Sequence, residues 1–193
     1  MFELRHHQER GQARFAWLDS RHSFSFGHYR DSKHQGFSDL LVINEDRVSP
    51  GQGFEPHGHR NMEIFSYVLS GALQHQDSMG NGTVIHPGDV QLMSAGSGVQ
   101  HSEFNASADD PVHFLQIWLL PRQRNEAPRY QQKHFDTEEK RGRLRLILSP
   151  DAAQGSLQIL QDARVYAGLL DGTEEIGWHV PEQRYAYLHV ARG

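Results

Sequence analysis

Short apolar stretches, rather than helical stripes, organise this chain. Runs rich in Val, Ile, Leu, Phe and Tyr stand at 40–43, 63–69, 83–85, 91–93, 113–119, 144–148, 165–170 and 185–190. Between them fall turn markers such as Ser49-Pro50-Gly51, Ser70-Gly71, Met79-Gly80-Asn81-Gly82, His86-Pro87-Gly88-Asp89 and Gly96-Ser97-Gly98. Glycine and asparagine tolerate positive φ there and proline presets the turn entry, so the pattern predicts many short antiparallel strands in a β-barrel or sandwich. The polar stretch 121–143, with Pro128 and Glu138-Glu139-Lys140-Arg141, breaks this pattern and reads as a linker. It divides the chain into 1–125 and 126–193. Past it, Tyr185-Ala186-Tyr187-Leu188-His189-Val190 repeats the layout of Phe65-Ser66-Tyr67-Val68-Leu69. On that alignment the second unit ends where the first is half built.

Composition narrows the function classes. Nineteen Lys and Arg against 24 Asp and Glu give a net charge of −5, so nothing draws the 193-residue chain toward nucleic acid or an anionic membrane. With no cysteine, disulfides, thiolate zinc sites, iron–sulfur clusters and Cys nucleophiles are excluded, and any metal must be held by nitrogen and oxygen. The longest apolar run, Ile117-Trp118-Leu119-Leu120, falls far short of the roughly 20 residues that span a bilayer. The start, Met1-Phe2-Glu3-Leu4-Arg5-His6-His7, lacks the apolar core of a secretory signal, so the expected setting is cytoplasmic.

Fourteen histidines are the compositional anomaly, and their spacing selects among them. His57-Gly58-His59 and His101-Ser102-Glu103 place side chains two apart, on the same face of an extended strand. Two such pairs on neighbouring strands make a four-ligand site. Three neutral imidazoles and one carboxylate around a divalent ion leave a net charge of +1 and, in octahedral geometry, two open positions. Gly58 would allow close backbone approach, and Pro56 suits an irregular strand entry. Glu63 shares the parity of His57 and His59, so parity alone leaves Glu63 and Glu103 as alternative carboxylates. His75 reads as a turn-stabilising residue, and His86, His113, His134 and His179 lack a partner at ligand spacing. Phe54, Met93 and Phe104 are candidate walls for a substrate, with core as their default role.

Several longer motifs accompany these pairs. They are Arg21-His22-Ser23-Phe24-Ser25-Phe26-Gly27, Gly53-Phe54, Tyr67-Val68-Leu69-x-Gly71, His75-Gln76-Asp77-Ser78-x-Gly80 and Gln91-x-Met93-Ser94-Ala95-Gly96-x-Gly98. Together they resemble the pirin family, of the bicupin fold, over nearly the whole chain. The resemblance implies a cupin, a jelly-roll barrel, followed by a second barrel that is metal-free and here cut short. It implies one metal held by His57, His59, His101 and Glu103, with Glu63 behind them orienting an imidazole. Fe(II) is the first expectation, with Mn, Ni, Co or Cu also suiting the donor set. Leu148-Ser149-Pro150-Asp151 and Gly155-Ser156-Leu157 bring the chain nearest to bacterial pirin-like quercetin 2,3-dioxygenases. That implies a flavonol-like substrate, dioxygen, ring opening with loss of carbon monoxide, and Glu103 acting as base as well as ligand. The alternative is a metal-dependent, redox-sensing regulator that binds a protein partner, with Lys140-Arg141-Gly142-Arg143-x-Arg145 as its contact. Another cupin reaction on the same metal is a third reading.

Overall fold

The computed structural model describes residues 3–193; Met1 and Phe2, the first two residues of the chain start, lie outside the described residues. Among the described residues fourteen strands carry the fold: β1 (Gly11–Arg14), β2 (Leu18–His22), β3 (Leu40–Val48), β4 (Gly53–His59), β5 (Glu63–Ser70), β6 (Leu73–Asp77), β7 (Gly82–Ile85), β8 (Asp89–Ser94), β9 (Val99–Asn105), β10 (Val112–Leu119), β11 (Arg129–His134), β12 (Arg145–Ser149), β13 (Leu157–Gln158) and β14 (Val165–Ala167). A single helical turn, α1 (Thr137–Lys140), is closed at its start by reciprocal bonds between Asp136 and Glu139. The all-β expectation holds. No helix among the described residues is long and apolar enough to cross a membrane.

Three sheets stack around one central layer. The seven-stranded sheet runs β1-β2-β3-β10-β5-β8-β11, the four-stranded sheet β4-β9-β6-β7, and the C-terminal sheet β13-β12-β14. Val48, Val68, Val112 and Phe114 of the large sheet meet Leu73 and Ile85 of the four-stranded sheet in one core. On the other face of the large sheet, Phe65, Val90 and Leu92 pack with Ile147, Leu148, Leu157 and Ile159. Strand β5 therefore feeds two cores at once, Ile64 and Val68 inward and Phe65 outward, because alternate side chains leave a strand on opposite faces. This is why its run reads as continuously apolar rather than alternating.

Two sequence expectations change. The polar stretch read as a linker contributes β11, which pairs antiparallel with β8 from Arg129↔Ser94 to His134↔Asp89. Its polar residues suit an edge strand that buries little. The run 185–190 forms no strand; the chain after β14 crosses the first barrel as irregular backbone. Tyr187 lies 5.6 Å from the Phe24 ring and 5.5 Å from Phe37, and Arg192 donates to the Leu69 carbonyl at 2.8 Å. Aromatic packing against the outside of the barrel thus replaces the strand pairing that the repeat suggested.

One interior carboxyl sets a pH dependence. Asp46 points inward from β3, buried, and burial drives its pKa up to about 7, with the charges of Glu103 and Glu45 adding to the rise and the Ser20 hydroxyl opposing it. An unfolded Asp titrates near 3.9, so between about pH 4 and about pH 7 the folded chain holds the proton more tightly than the unfolded one. Stability contributed here is therefore full below the lower value and falls as pH rises through the upper one. Asp46→Asn removes this loss, and the variant should gain on the native protein by up to about 4 kcal/mol between about pH 4 and about pH 8. Urea midpoints at the two pH values measure the difference; a constant gap would show that Asp46 is ionised in the fold.

Candidate metal centre

Strands β4 and β9 pair antiparallel, with His57 directly opposite His101 and His59 opposite Val99. A register shift between Phe54 and His57 bulges β4 at Glu55 and Pro56, where the missing proline N–H is no loss to the ladder. The close backbone approach belongs to Gly53 rather than Gly58. A Cβ at Gly53 would collide with the Glu103 carbonyl and the Phe104 backbone, whereas one at Gly58 would come no nearer than 3.9 Å to the Val99 carbonyl. Only glycine lets β4 enter beside Glu103.

Three imidazoles converge inside the barrel. His57, His59 and His101 have ring centroids 4.5–4.8 Å apart, and each offers a ligand atom within 4.8 Å of the others. His57 Nδ1 donates to the Glu55 carbonyl at 2.8 Å, which leaves its Nε2 as a bare lone pair. That lone pair lies 3.1 Å from His101 Nε2. His59 Nε2 is buried and has no hydrogen-bond partner among the described residues. Burial, then the neighbouring rings of His57 and His101, holds the His59 pKa down to about 4. Burial, then His57 and His75, takes His101 down to about 3. Two ring nitrogens at this separation are bridged either by one hydrogen or by a cation held between their lone pairs. The 3.1 Å gap also matches two nitrogens each about 2.0–2.1 Å from one ion at adjacent positions. The donor set therefore fits a divalent metal.

The carboxylates sort differently from the parity argument. Glu103, buried on β9, accepts from Ser66 Oγ at 3.0 Å and from Gln116 Nε2. It falls within 4.8 Å of His101 and His75, while the group formed by His57 and His59 includes His101 but not Glu103. Glu63 is turned away altogether. Strand β4 ends at His59, a loop intervenes, and Glu63 opens β5 in the other sheet, where it accepts from Ser94 Oγ at 2.8 Å and the Leu160 N–H at 3.0 Å. It ties the barrel to the C-terminal segment and orients no imidazole. Parity failed because the strand does not continue from 59 to 63.

His75 is the residue that sequence reasoning missed. It lies on β6 opposite Glu103 and is wholly buried, not placed in a turn. The inward parity of Leu73, His75 and Asp77 is the signal that could have found it. Two of the candidate walls take their default role in the core. Met93 is core, packed with Ile64, Ala95 and Val99, and Phe54 stacks edge-on with Trp17 at 5.3 Å. The aromatic rings at the imidazoles are Trp118, 4.8 Å from His59, and Phe26, 5.4 Å from Trp118. Half of the basic cluster is spent internally: Lys140 is buried and donates to the Phe135 carbonyl at 2.7 Å, and Arg145 pairs with Glu139 at 2.8 Å, while Arg141 and Arg143 stay exposed.

The family model described as Pirin matches residues 3–119, which hold every residue of this cluster. The chain belongs to the pirin family. A second model, the quercetinase C-terminal cupin domain, matches residues 146–193. Among pirin relatives, quercetin 2,3-dioxygenase of Escherichia coli K12 is 44% identical over 193 residues, covering 100% of this chain and 82% of its own. The crystal structure of YhhW from Escherichia coli superposes with a TM-score of 0.81 at 48% identity, covering 84% of this chain and 68% of that one. The same bacterial pirin in complex with nickel(II) superposes at 0.79 with 47% identity, over 83% of this chain and 68% of that one. These likenesses establish the cupin fold read from the sequence.

Proposed function

We propose that this pirin is a metal-dependent dioxygenase of flavonol-like substrates, opening the ring with dioxygen and releasing carbon monoxide. The observation that carries the metal is the convergence of three imidazole nitrogens, His57 and His101 at 3.1 Å with the buried, unpartnered His59 Nε2 beside them. The substrate class rests on the relative named quercetin 2,3-dioxygenase. The ligands we assign are His57, His59, His101 and Glu103, around one divalent transition metal. Nickel in the E. coli pirin supports a divalent ion, and Fe(II) is the one we propose. We assign 1–125 to a metal-holding barrel and 126–193 to a metal-free unit that lends β11 to the barrel's seven-stranded sheet, the C-terminal cupin match over 146–193 supporting the second.

A bound divalent ion supplies Lewis acidity that makes a neighbouring phenolic hydroxyl easier to deprotonate. Glu103 receives the 3-hydroxyl proton on one carboxylate oxygen. To do so it exchanges one of its two present donors, Ser66 or Gln116, for the substrate hydroxyl. Gln116 in turn accepts from Trp118 Nε1 at 3.2 Å, so the base and the aromatic wall are held by one chain of hydrogen bonds. Trp118 and Phe26, packed edge to face, present the apolar wall against which a polyphenol lies and from which water is excluded. The glutamate needs no unusual basicity when the metal acidifies the phenol.

Oxygen uptake by the Fe(II)-reconstituted protein with quercetin, together with carbon monoxide detection, tests this. The expected result is uptake that depends on flavonol and matches the carbon monoxide formed. Uptake without carbon monoxide would mean a different oxygenation, and no uptake with iron, nickel, cobalt, manganese or copper would overturn the enzyme reading.

A further inference from the structure

Behind the imidazole trio lies a second, fully buried pair. The side chains of His75 and Asp77 are both 0% exposed, and His75 Nε2 stands 3.1 Å from Asp77 Oδ2. The carboxylate also receives the backbone N–H groups of Met79 and Asn81 at 2.9 and 3.1 Å, and the Asn81 side-chain amide at 2.9 and 3.1 Å. Donors from the following turn thus surround Asp77 and pin it. A carboxylate so surrounded only accepts, so His75 Nε2 must carry a hydrogen. The neutral ring then has its lone pair on Nδ1, which faces His101 Nδ1 at 3.4 Å. His101 donates across that gap, and its own lone pair is left on Nε2, the atom that points at His57.

We propose that Asp77 and His75 are positioning residues for His101, a carboxylate–imidazole–imidazole relay that fixes the tautomer of both rings and aims the His101 Nε2 lone pair into the metal centre. The inference rests on the metal-centre reading above and extends it to residues that touch no ion. A hydrogen-bonded partner on the far nitrogen both orients a ligating ring and raises its basicity. Two further contacts hold the relay. Tyr130 stacks on the His75 ring at 5.0 Å and 29°, and its hydroxyl bonds to Thr83 at 2.5 Å and Gln132 at 2.8 Å. Strand register does the rest, setting Asp77 opposite His101 and His75 opposite Glu103. The ligand atoms of His75, His101 and Glu103 also lie within 4.8 Å of one another, so direct ligation by His75 is the competing role. In this arrangement His75 Nε2 is spent on Asp77, and ligation would require the relay to break.

Two measurements on the full chain decide between these roles. In the zinc-loaded native protein with ¹⁵N-labelled histidine, the expected state is hydrogen on His75 Nε2 and on His101 Nδ1, with zinc shifting His101 Nε2, as it shifts the ligating nitrogens of His57 and His59, and neither nitrogen of His75. Zinc on a His75 nitrogen, or hydrogen on His75 Nδ1, overturns the relay. Chelator competition with nickel then compares Asp77→Asn and His75→Gln with the native chain, the melting temperature of each metal-free protein serving as the folding control. The relay predicts nickel affinity lowered about 10–100-fold in Asp77→Asn. Native affinity in a folded Asp77→Asn variant overturns it. If the native chain itself binds neither nickel nor zinc, the metal-centre reading has failed as a whole, an outcome separate from failure of the relay.

Discussion

Replacing Glu103 with Gln lowers flavonol turnover by about 10²–10⁴-fold, the usual worth of a positioned acid or base. The amide is close to isosteric, and its oxygen still accepts from Ser66 Oγ or Gln116 Nε2, the two donors that now hold the carboxylate. The barrel should therefore fold, and His57, His59 and His101 should retain part of the metal. What the amide lacks is an oxygen able to take up the 3-hydroxyl proton. Steady-state kinetics alongside metal analysis separate the two losses: turnover collapses while bound metal falls only in part. Turnover close to that of the native protein, at equal metal content, would remove Glu103 from the chemistry.

Phe114→Ala should cost about 3–5 kcal/mol of folding stability, the range for emptying a large buried aromatic site. Phe114 is 0% exposed in β10, the strand at the centre of the seven-stranded sheet, and fills the space between Val48, Val68, Leu73 and Ile85. Its cavity cannot close easily, because β10 is held on both sides, by β3 and by β5. The damage should also reach the chemistry. Gln116, two residues further along the same inward face, donates to Glu103, so a shift of β10 loosens the proposed base. Urea unfolding of the metal-free protein gives the cost without the contribution of bound ligand. A loss under about 1 kcal/mol would mean that the two sheets do not share this core.

Much of the framework was legible in residue order. The apolar strands 63–69 and 113–119 lie within β5 and β10, and the glycines at turn markers adopt the positive φ expected of them, as at Gly71 and Gly88. Among the strands that escaped notice are polar ones: Gly-Gln-Ala-Arg in β1, Leu-Asp-Ser-Arg-His in β2 and Arg-Tyr-Gln-Gln-Lys-His in β11. Their backbones are claimed by ladder hydrogen bonds to neighbours distant in sequence, which no local propensity records. The same cause misplaced Tyr185 to Val190, whose composition suits a strand but which no neighbouring strand pairs.

The order of residues alone determined the kind of chemistry open to this chain. An absence of cysteine and two pairs at strand spacing confine any metal to imidazole and carboxylate donors, since alternation along an extended backbone is local geometry. Only the tertiary structure decided which groups meet. Antiparallel register set His57 against His101, brought buried Asp77 and His75 behind that ring, and carried Glu63 into another sheet to bind Ser94 and the Leu160 N–H. Pairing between strands depends on how separate segments pack and fill a shared interior, and that information is spread across the whole chain rather than held in any one motif.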